Sequence, residues 1–254
     1  MKHPKALQGV RNLLYDCPEL YELAYPEPND ETPAMCRRAF GRFLKNPPGS
    51  ILDLGCGTGR DLRSLRRDIP DCVGVDLLPQ VIDYARSRAA DTEFRVGDIR
   101  KVRLGRSFDA VCCFGSALLY ALSDGDLAKM ADTFAAHCHR GSLLLIDIRN
   151  PKPLLGAGFR PRIEGSIESA GFSARYVSEH HLDRVNRRLR RRRTWHLADG
   201  ATVGDYCEYR LLSETDLREL LEPRGFEVLG IFDNRSLREG DTGGPTLYAV
   251  GRYR

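Results

Sequence analysis

The sequence predicts an α/β fold, a mostly parallel sheet with helices on its faces, on three observations. Residues 51–60 read I-L-D-L-G-C-G-T-G-R, an apolar strand run followed by three glycines at alternate positions. Further short apolar runs then alternate with stretches of helical periodicity. The last two runs, Phe226 to Phe232 and Thr246 to Val250, are separated by only about a dozen residues rich in Gly, Asp and Pro. Parallel neighbours need a longer crossover, so these closing strands are expected to be antiparallel.

Taken in order, residues 4–25 predict two short helical pieces carrying Tyr15, Tyr21 and Tyr25, before a loop marked by Pro26, Pro28, Asn29 and Asp30. Thr32 and Pro33 read as N-cap and N1 of a helix running to about Lys45, with Met35, Cys36, Ala39, Phe40, Phe43 and Leu44 on its apolar face. The first strand, Ile51 to Leu54, enters the glycine turn, and Asp61 to Ile69 predicts a helix with Leu62, Leu65 and Ile69 on one side. Cys72 to Val75 is a second strand ending in Asp76, and Pro79 opens a helix bearing Val81, Ile82 and Ala85. Glu93 to Val96 and Phe108 to Phe114 are the third and fourth strands, Asp124 to His139 is the clearest helix, and Ser142 to Ile148 is the fifth strand.

Residues 151–212 break the rhythm. Three or four extended runs (roughly Ile163–Glu168, Ala174–Leu182, Leu189–Leu197 and Val203–Leu212) with Gly171, Asn186 and Asp199-Gly200 at turns predict an antiparallel β meander. Ser213 and Asp216 form a capping-box signal for a helix with Leu217, Leu220 and Leu221, closed by Gly225. The expected organisation is therefore an N-terminal helical cap (1–48), an α/β domain (49–150 and 213–254), and an inserted meander (151–212) that covers a substrate or forms a dimer contact.

Hydrophobic residues make up 42% and charged residues 29% of the chain, and the net charge of +4 is mild. This is ordinary for a soluble globular protein. No apolar stretch reaches the length of a membrane span, and the opening MKHPKALQGV lacks a signal-peptide core. The eight cysteines include no C-x-x-C pair, so buried reduced thiols in a cytoplasmic protein are expected, with no metal site.

A glycine turn between strand and helix places free N–H groups where an anion binds. A triphosphate loop would need Lys after its last glycine, but this turn ends Gly59-Arg60-Asp61. A dinucleotide turn is G-x-G-x-x-G, and here the third glycine comes one residue early. From the residues alone, a tight turn in any α/β protein also remains. The stretch DLGCGTG resembles the glycine motif of the class I S-adenosylmethionine-dependent methyltransferases, whose Rossmann-like sheet has seven strands, the last antiparallel. The resemblance implies that Asp76 accepts bonds from both ribose hydroxyls and that Asp98 accepts from the adenine amino group with Ile99 against the ring. It further implies that the end of FDAVCCFGS faces the methyl group. A strand-end acid can instead cap the next helix, and Asp98 reads equally as a turn aspartate. ELYELAY resembles a segment of small-molecule methyltransferases whose tyrosine, here Tyr21, meets the cofactor carboxylate, although Tyr is also a common packing residue.

The cofactor-side candidates are thus Tyr21, Asp53, Gly55, Cys56, Gly57, Gly59, Asp76, Leu77, Asp98, Ile99, Phe114 and Gly115, for S-adenosyl-L-methionine and its product S-adenosyl-L-homocysteine. The order of elements most resembles the aminosugar N-methyltransferases of macrolide biosynthesis, which act on nucleotide-linked amino sugars, and a homodimer is expected. The chain departs from them at Ser116–Tyr120, where those enzymes carry a histidine. This leaves a different acceptor open, with Tyr120 in related space. On the acceptor side the candidates are Tyr15, Tyr120, Arg149 and His181. His180 and His181 are neighbours on a strand, so one at most points into a pocket.

Methyl transfer is an in-line displacement that needs alignment and exclusion of water. An amine must only arrive neutral, whereas a hydroxyl wants a general base. The run from Arg187 to Arg193 invites a nucleic-acid reading, but no second basic cluster or aromatic stripe supports one. Alternation puts Leu189, Arg191, Arg193 and Trp195 on one face, where the arginines pair with acids such as Asp183 or Glu208 or bind a diphosphate. The expected activity is methylation of a small-molecule amine. The alternatives are O-methylation, RNA methylation or a non-catalytic cofactor-binding role.

Overall fold

A computed structural model of the chain describes residues 12–25, 30–156, 159–169, 172–240 and 243–254. The expected loop residues Pro26, Pro28 and Asn29, the turn at Gly171, and residues 4–11 of the first helical stretch lie outside the described residues.

Two short helices, α1 (Leu13–Asp16) and α2 (Pro18–Ala24), precede α3 (Glu31–Phe43). The sheet then builds through β1 (Ser50–Leu54), α4 (Arg60–Leu65), β2 (Asp71–Asp76), α5 (Pro79–Arg88), β3 (Glu93–Val96) and β4 (Phe108–Cys113). A 3₁₀ turn over Ala117–Tyr120 leads to α6 (Asp124–Ala136), β5 (Cys138–Arg149) and α7 (Pro151–Leu155). Four strands follow, β6 (Arg162–Ser169), β7 (Phe172–Asp183), β8 (Arg188–Leu197) and β9 (Thr202–Arg210), and the chain closes with α8 (Glu214–Leu221), β10 (Phe226–Phe232) and β11 (Thr246–Tyr253).

Local chemistry explains the helix starts. Ser123 accepts the Asp126 N–H at the head of α6, Pro79 sits at the first turn of α5, and Ser213 and Asp216 complete the capping box of α8. Thr32 is not the cap of α3. The helix begins at Glu31 with Asp30 in the flanking position, and it ends at Phe43 rather than Lys45. Two other helices stop short of their apolar pattern. α4 ends at Leu65, with Ile69 reached through a turn, and α6 ends at Ala136 because Cys138 already opens β5. In both, the apolar residue past the end still packs into the core, so periodicity outlasts the helix.

The seven-stranded sheet has the order β10-β11-β5-β4-β1-β2-β3, and β11 runs antiparallel to both its neighbours. This is the class I methyltransferase architecture. The chain moves outward from β1 through β2 and β3, then returns to the other side of β1 with β4. The crevice therefore opens between the carboxyl ends of β1 and β4, at the topological switch. One face buries Leu127, Met130 and Phe134 of α6 with Leu217 and Leu221 of α8. The other buries Met35 and Phe40 of α3 with Leu62 of α4 and Ile82 of α5. Cys112 and Cys113 point to opposite faces, and the eight cysteines are unpaired. No helix among the described residues is long and apolar enough to cross a membrane.

β6 to β9 form a separate four-stranded antiparallel sheet. Its inner face has two apolar ends. Leu189, Cys207 and Tyr209 join the core beside β5, while Ala174, Trp195 and Val203 pack against Leu14, Leu20 and Tyr21 of α1 and α2. Between these ends runs a polar band containing Ser178, His180, Arg191, Arg193 and Asp205.

Candidate active site

The glycine turn is fixed by backbone geometry. Gly59 has φ +73°, and a Cβ there would stand 2.6 Å from the Phe94 ring, so a side chain meets both backbone strain and an immovable ring. Asp76, at the end of β2, accepts the Gly57 N–H through Oδ2 and the Leu78 N–H through Oδ1, each at 3.0 Å. It thus serves the turn before α5 as well as the glycine turn, the helix-start role that a strand-end acid can take. Each carboxylate oxygen keeps lone-pair capacity for a further donor.

Asp53 of β1 is 3% exposed, and its Oδ1 has no hydrogen-bond partner. Burial, then Asp61, Asp76 and Asp147, push its carboxyl well above the usual range. Burial likewise raises Asp61 and Asp147 to about 6 each. Together with Asp76, they make one acidic cluster around Asp53. Asp147 also accepts the Ser116 N–H at 2.8 Å, and the Ser116 hydroxyl accepts the Arg149 N–H at 2.9 Å. The loop after β4, with Phe114 buried and Gly115 exposed, is thereby tied to the end of β5.

Asp98 follows β3 and is gripped by Arg100, whose Nε reaches both carboxylate oxygens and whose Nη2 donates to Oδ2 at 2.7 Å. This ion pair holds the Asp98 carboxyl below its ordinary range. Ile99 is half-buried beside it, and Leu77 is 56% exposed on the approach.

Three tyrosines from three elements converge. The hydroxyls of Tyr120 and Tyr209 are 3.2 Å apart, and Tyr15 of α1 lies beside them. Arg149 is exposed and extends over the Tyr209 ring at 5.9 Å. The polar band of the second sheet continues this surface. Arg193 donates from Nε to the Ser178 hydroxyl at 2.8 Å and stacks on Tyr176 and Trp195 at 4.6 and 5.0 Å.

Two expectations are corrected here. His181 is exposed on the outer face of β7, and it is His180 that turns inward, opposite Arg191. Its Nδ1 is buried without a partner, and burial, with Arg149, Arg191 and Arg193 near it, lowers its proton affinity. The acid that pairs with Arg191 is neither Asp183 nor Glu208 but Asp205, at 3.3 Å, which also accepts the Trp195 indole N–H at 2.7 Å. Glu208 pairs with Arg190 on the opposite face.

Several participants escaped sequence reasoning. Tyr209 and Asp205 lie on the strand face shared with Cys207, so alternation along β9 could have found them. Glu22 of α2, which accepts from Arg60 Nη2 at 3.1 Å, and Arg100 carry no such signal, because their partners are set by tertiary packing or by a local turn.

Residues 51–141, which include the glycine turn and the strands on either side of the switch point, match the family model described as a methyltransferase domain. The particular likenesses are narrower. The chain is 33% identical over 98 residues to dTDP-3-amino-3,4,6-trideoxy-alpha-D-glucopyranose N,N-dimethyltransferase of Streptomyces venezuelae, covering 39% of this chain and 41% of that protein. It is 33% identical over 150 residues to dTDP-3-amino-3,6-dideoxy-alpha-D-glucopyranose N,N-dimethyltransferase of Streptomyces fradiae, covering 58% and 59%. The chain therefore aligns with about half the length of these curated relatives. Over nearly its whole length it superimposes on the sugar N-methyltransferase KedS8 of a Streptoalloteichus species, with TM-score 0.76, 23% identity, and 99% and 96% of the two chains covered.

Proposed function

We propose that the protein is an S-adenosylmethionine-dependent N-methyltransferase whose acceptor is the amine of a nucleotide-linked amino sugar. The observation that carries this reading is a pair of oppositely charged clusters. One gathers Asp61, Asp76 and Asp147 around Asp53, the other Arg149, Arg191 and Arg193 around His180, and in this reading the first is the floor of the crevice and the second its facing side. The cofactor brings a sulfonium and an ammonium group, which relieve the crowding of carboxylates. A nucleoside diphosphate brings negative charge that guanidiniums bind in fork geometry. The named relatives are enzymes of dTDP-linked amino sugars.

In this reading Asp76 accepts from the ribose hydroxyls, and Asp98, kept ionised by Arg100, accepts from the adenine amino group between Leu77 and Ile99. Gly55, Cys56, Gly57 and Gly59 let the backbone approach the amino-acid tail, with Asp53 beneath it and Tyr21 beside it. Phe114 and Gly115 border the methyl-bearing end. When bound, the cofactor supplies a methyl group on a good leaving group. The chain's own work is to orient the amine, exclude water and take up its proton. The second sheet and the α1–α2 cap roof the crevice, Tyr15, Tyr120 and Tyr209 hold the sugar, and Arg149, Arg191 and Arg193 hold the diphosphate. His180, kept neutral by burial and by the guanidiniums around it, accepts the proton that the amine sheds.

One observation favours O-methylation instead: the segment Ser116–Tyr120 lacks histidine, and His180 could serve a hydroxyl as base. Incubation with the cofactor and a panel of dTDP-linked 3-amino and 4-amino deoxysugars, read by mass spectrometry, decides between them. Mono- or dimethylated amines are expected. Turnover confined to hydroxylated acceptors would reject the amine.

A further inference from the structure

The loop after β4 turns at Gly115 and Ser116, both in the left-handed region with φ +66° and +60°. Ser116 carries a side chain, so this backbone persists only where its surroundings hold it. Two bonds hold it, from the Ser116 N–H to Asp147 Oδ1 at 2.8 Å and from the Arg149 N–H to the Ser116 hydroxyl at 2.9 Å. Asp147 belongs to β5 and is buried. In a trans peptide the carbonyl points opposite to the N–H it is joined to, so the Gly115 carbonyl is directed away from Asp147. β4 lies between β5 and β1, and the side away from β5 is the one on which the switch-point crevice opens. Ala117 fixes the placement: a Cβ at Gly55 of the glycine turn would stand 3.0 Å from the Ala117 Cβ, so loop and turn border the same opening. The neighbouring carbonyls are used, that of Phe114 by the Ala117 N–H and that of Ser116 by the Leu119 N–H. The Gly115 carbonyl accepts no hydrogen bond among the described residues, and a Cβ on Gly115 would meet no atom within 4 Å.

An amine that takes up a methyl group has to aim its lone pair along the line of the displaced bond, and an oxygen that accepts one of its N–H bonds sets that direction. We propose that the Gly115 carbonyl accepts a hydrogen bond from the acceptor amine, and that Asp147 is the positioning residue that, through the Ser116 N–H, turns this peptide plane toward the crevice. The inference rests on the amine acceptor proposed above and names the group of this chain that orients it. As the nitrogen lone pair forms its bond to the methyl carbon, and the carbon–sulfur pair leaves with sulfur, positive charge grows on nitrogen. Its N–H becomes a stronger donor, so the bond to the carbonyl gains most in the transition state, and the proton afterwards passes to His180. A neutral carbonyl can hold an N–H in this way but cannot remove a proton, which suits an amine and does not activate a hydroxyl.

Crystals of the protein with S-adenosylhomocysteine and a dTDP-linked amino sugar test the carbonyl. The amine nitrogen is expected roughly 2.7–3.2 Å from the Gly115 oxygen, and a separation beyond about 3.5 Å overturns the assignment. Kinetics test Asp147. For Asp147→Ala, kcat is expected to fall roughly 10- to 100-fold, while KM for the amino sugar and affinity for S-adenosylhomocysteine stay within about twofold of wild type. Asp147→Asn, which keeps an oxygen for the Ser116 N–H, should recover kcat to within about fivefold of wild type. An unchanged kcat in Asp147→Ala, an equal loss of S-adenosylhomocysteine affinity, or an Asn variant as slow as the Ala variant overturns the positioning role. If Asp147→Ala does not fold, the complex and the Asn variant decide, and an Asn variant slower than about fivefold counts against it. A wild-type protein that binds S-adenosylhomocysteine but methylates no amine overturns the acceptor reading, and this assignment with it.

Discussion

At Asp76 a carboxylate is oriented by two backbone N–H groups, one from the glycine turn and one from the start of α5. Burial raises its proton affinity and these bonds oppose the rise. Asp76→Ala is expected to lower S-adenosylhomocysteine affinity by roughly 100-fold or more, since a charged acceptor for two hydroxyls is lost along with support of the turn. Undiminished affinity by calorimetry would reject the ribose role. Asp147 supplies a pH test. Its carboxyl is raised to about 6, chiefly by burial, so stability is lost as pH rises from the ordinary carboxylate range to that value and the cost stays constant above it. Asp147→Asn keeps an oxygen for the Ser116 N–H and removes this cost. Relative to wild type, the variant should therefore gain on the order of 1–3 kcal/mol of stability between pH 4.5 and 7.5. Parallel denaturation curves at all pH values would contradict it. The roles of Asp76 and the glycines could be read from the sequence because turn and strand-end chemistry is local. The Arg60–Glu22 contact could not, since nothing in either residue's neighbourhood points to a partner nearly forty positions away.

Among elements, the second sheet is the one whose meander the sequence predicts nearly strand for strand, and the one whose interior it leaves half-read. Alternation separates Arg190 from Arg191 and His180 from His181, but it cannot say which of the two histidines turns inward. That depends on the register between β7 and β8, which pairs His180 with Arg191 and Tyr176 with Trp195. Once Trp195 is buried, every residue paired on its face is committed to the inside. Asp205 holds this face together by meeting both the Trp195 indole and Arg191. Asp205→Ala leaves a buried guanidinium and an indole N–H unsatisfied, and should destabilise the sheet by about 3–5 kcal/mol. Hydrogen exchange should locate the loss in β8 and β9 while β1 and β4 stay protected. Uniform loss across both sheets would mean that the roof does not open as a unit of its own.

On the reading proposed above, the acidic cluster is a floor that attracts cations and the basic band of the second sheet a roof that attracts anions, with the tyrosines of the cap, the loop after β4 and β9 between them. The sheet order explains the floor, because every strand that contributes an acid ends at the switch-point crevice. The roof comes from the insertion, and its relation to the floor is fixed where Tyr209 meets Tyr120 and Arg149. A division of labour follows. Removing a guanidinium from the roof should weaken the diphosphate-linked acceptor without touching the cofactor. Arg193→Gln is expected to raise KM for a dTDP-linked amino sugar by roughly 10-fold or more, since a charge-assisted contact is lost, and to leave S-adenosylhomocysteine affinity unchanged. The same variant should respond little when the acceptor is a free amino sugar without the diphosphate, because the lost charge then has no counterpart. If KM rises equally for both acceptors, Arg193 shapes the roof rather than binding phosphate. His180→Gln separates the remaining role. Its KM should stay near the wild-type value while kcat falls and loses its dependence on pH below neutrality, the behaviour of a proton acceptor and not of a phosphate ligand.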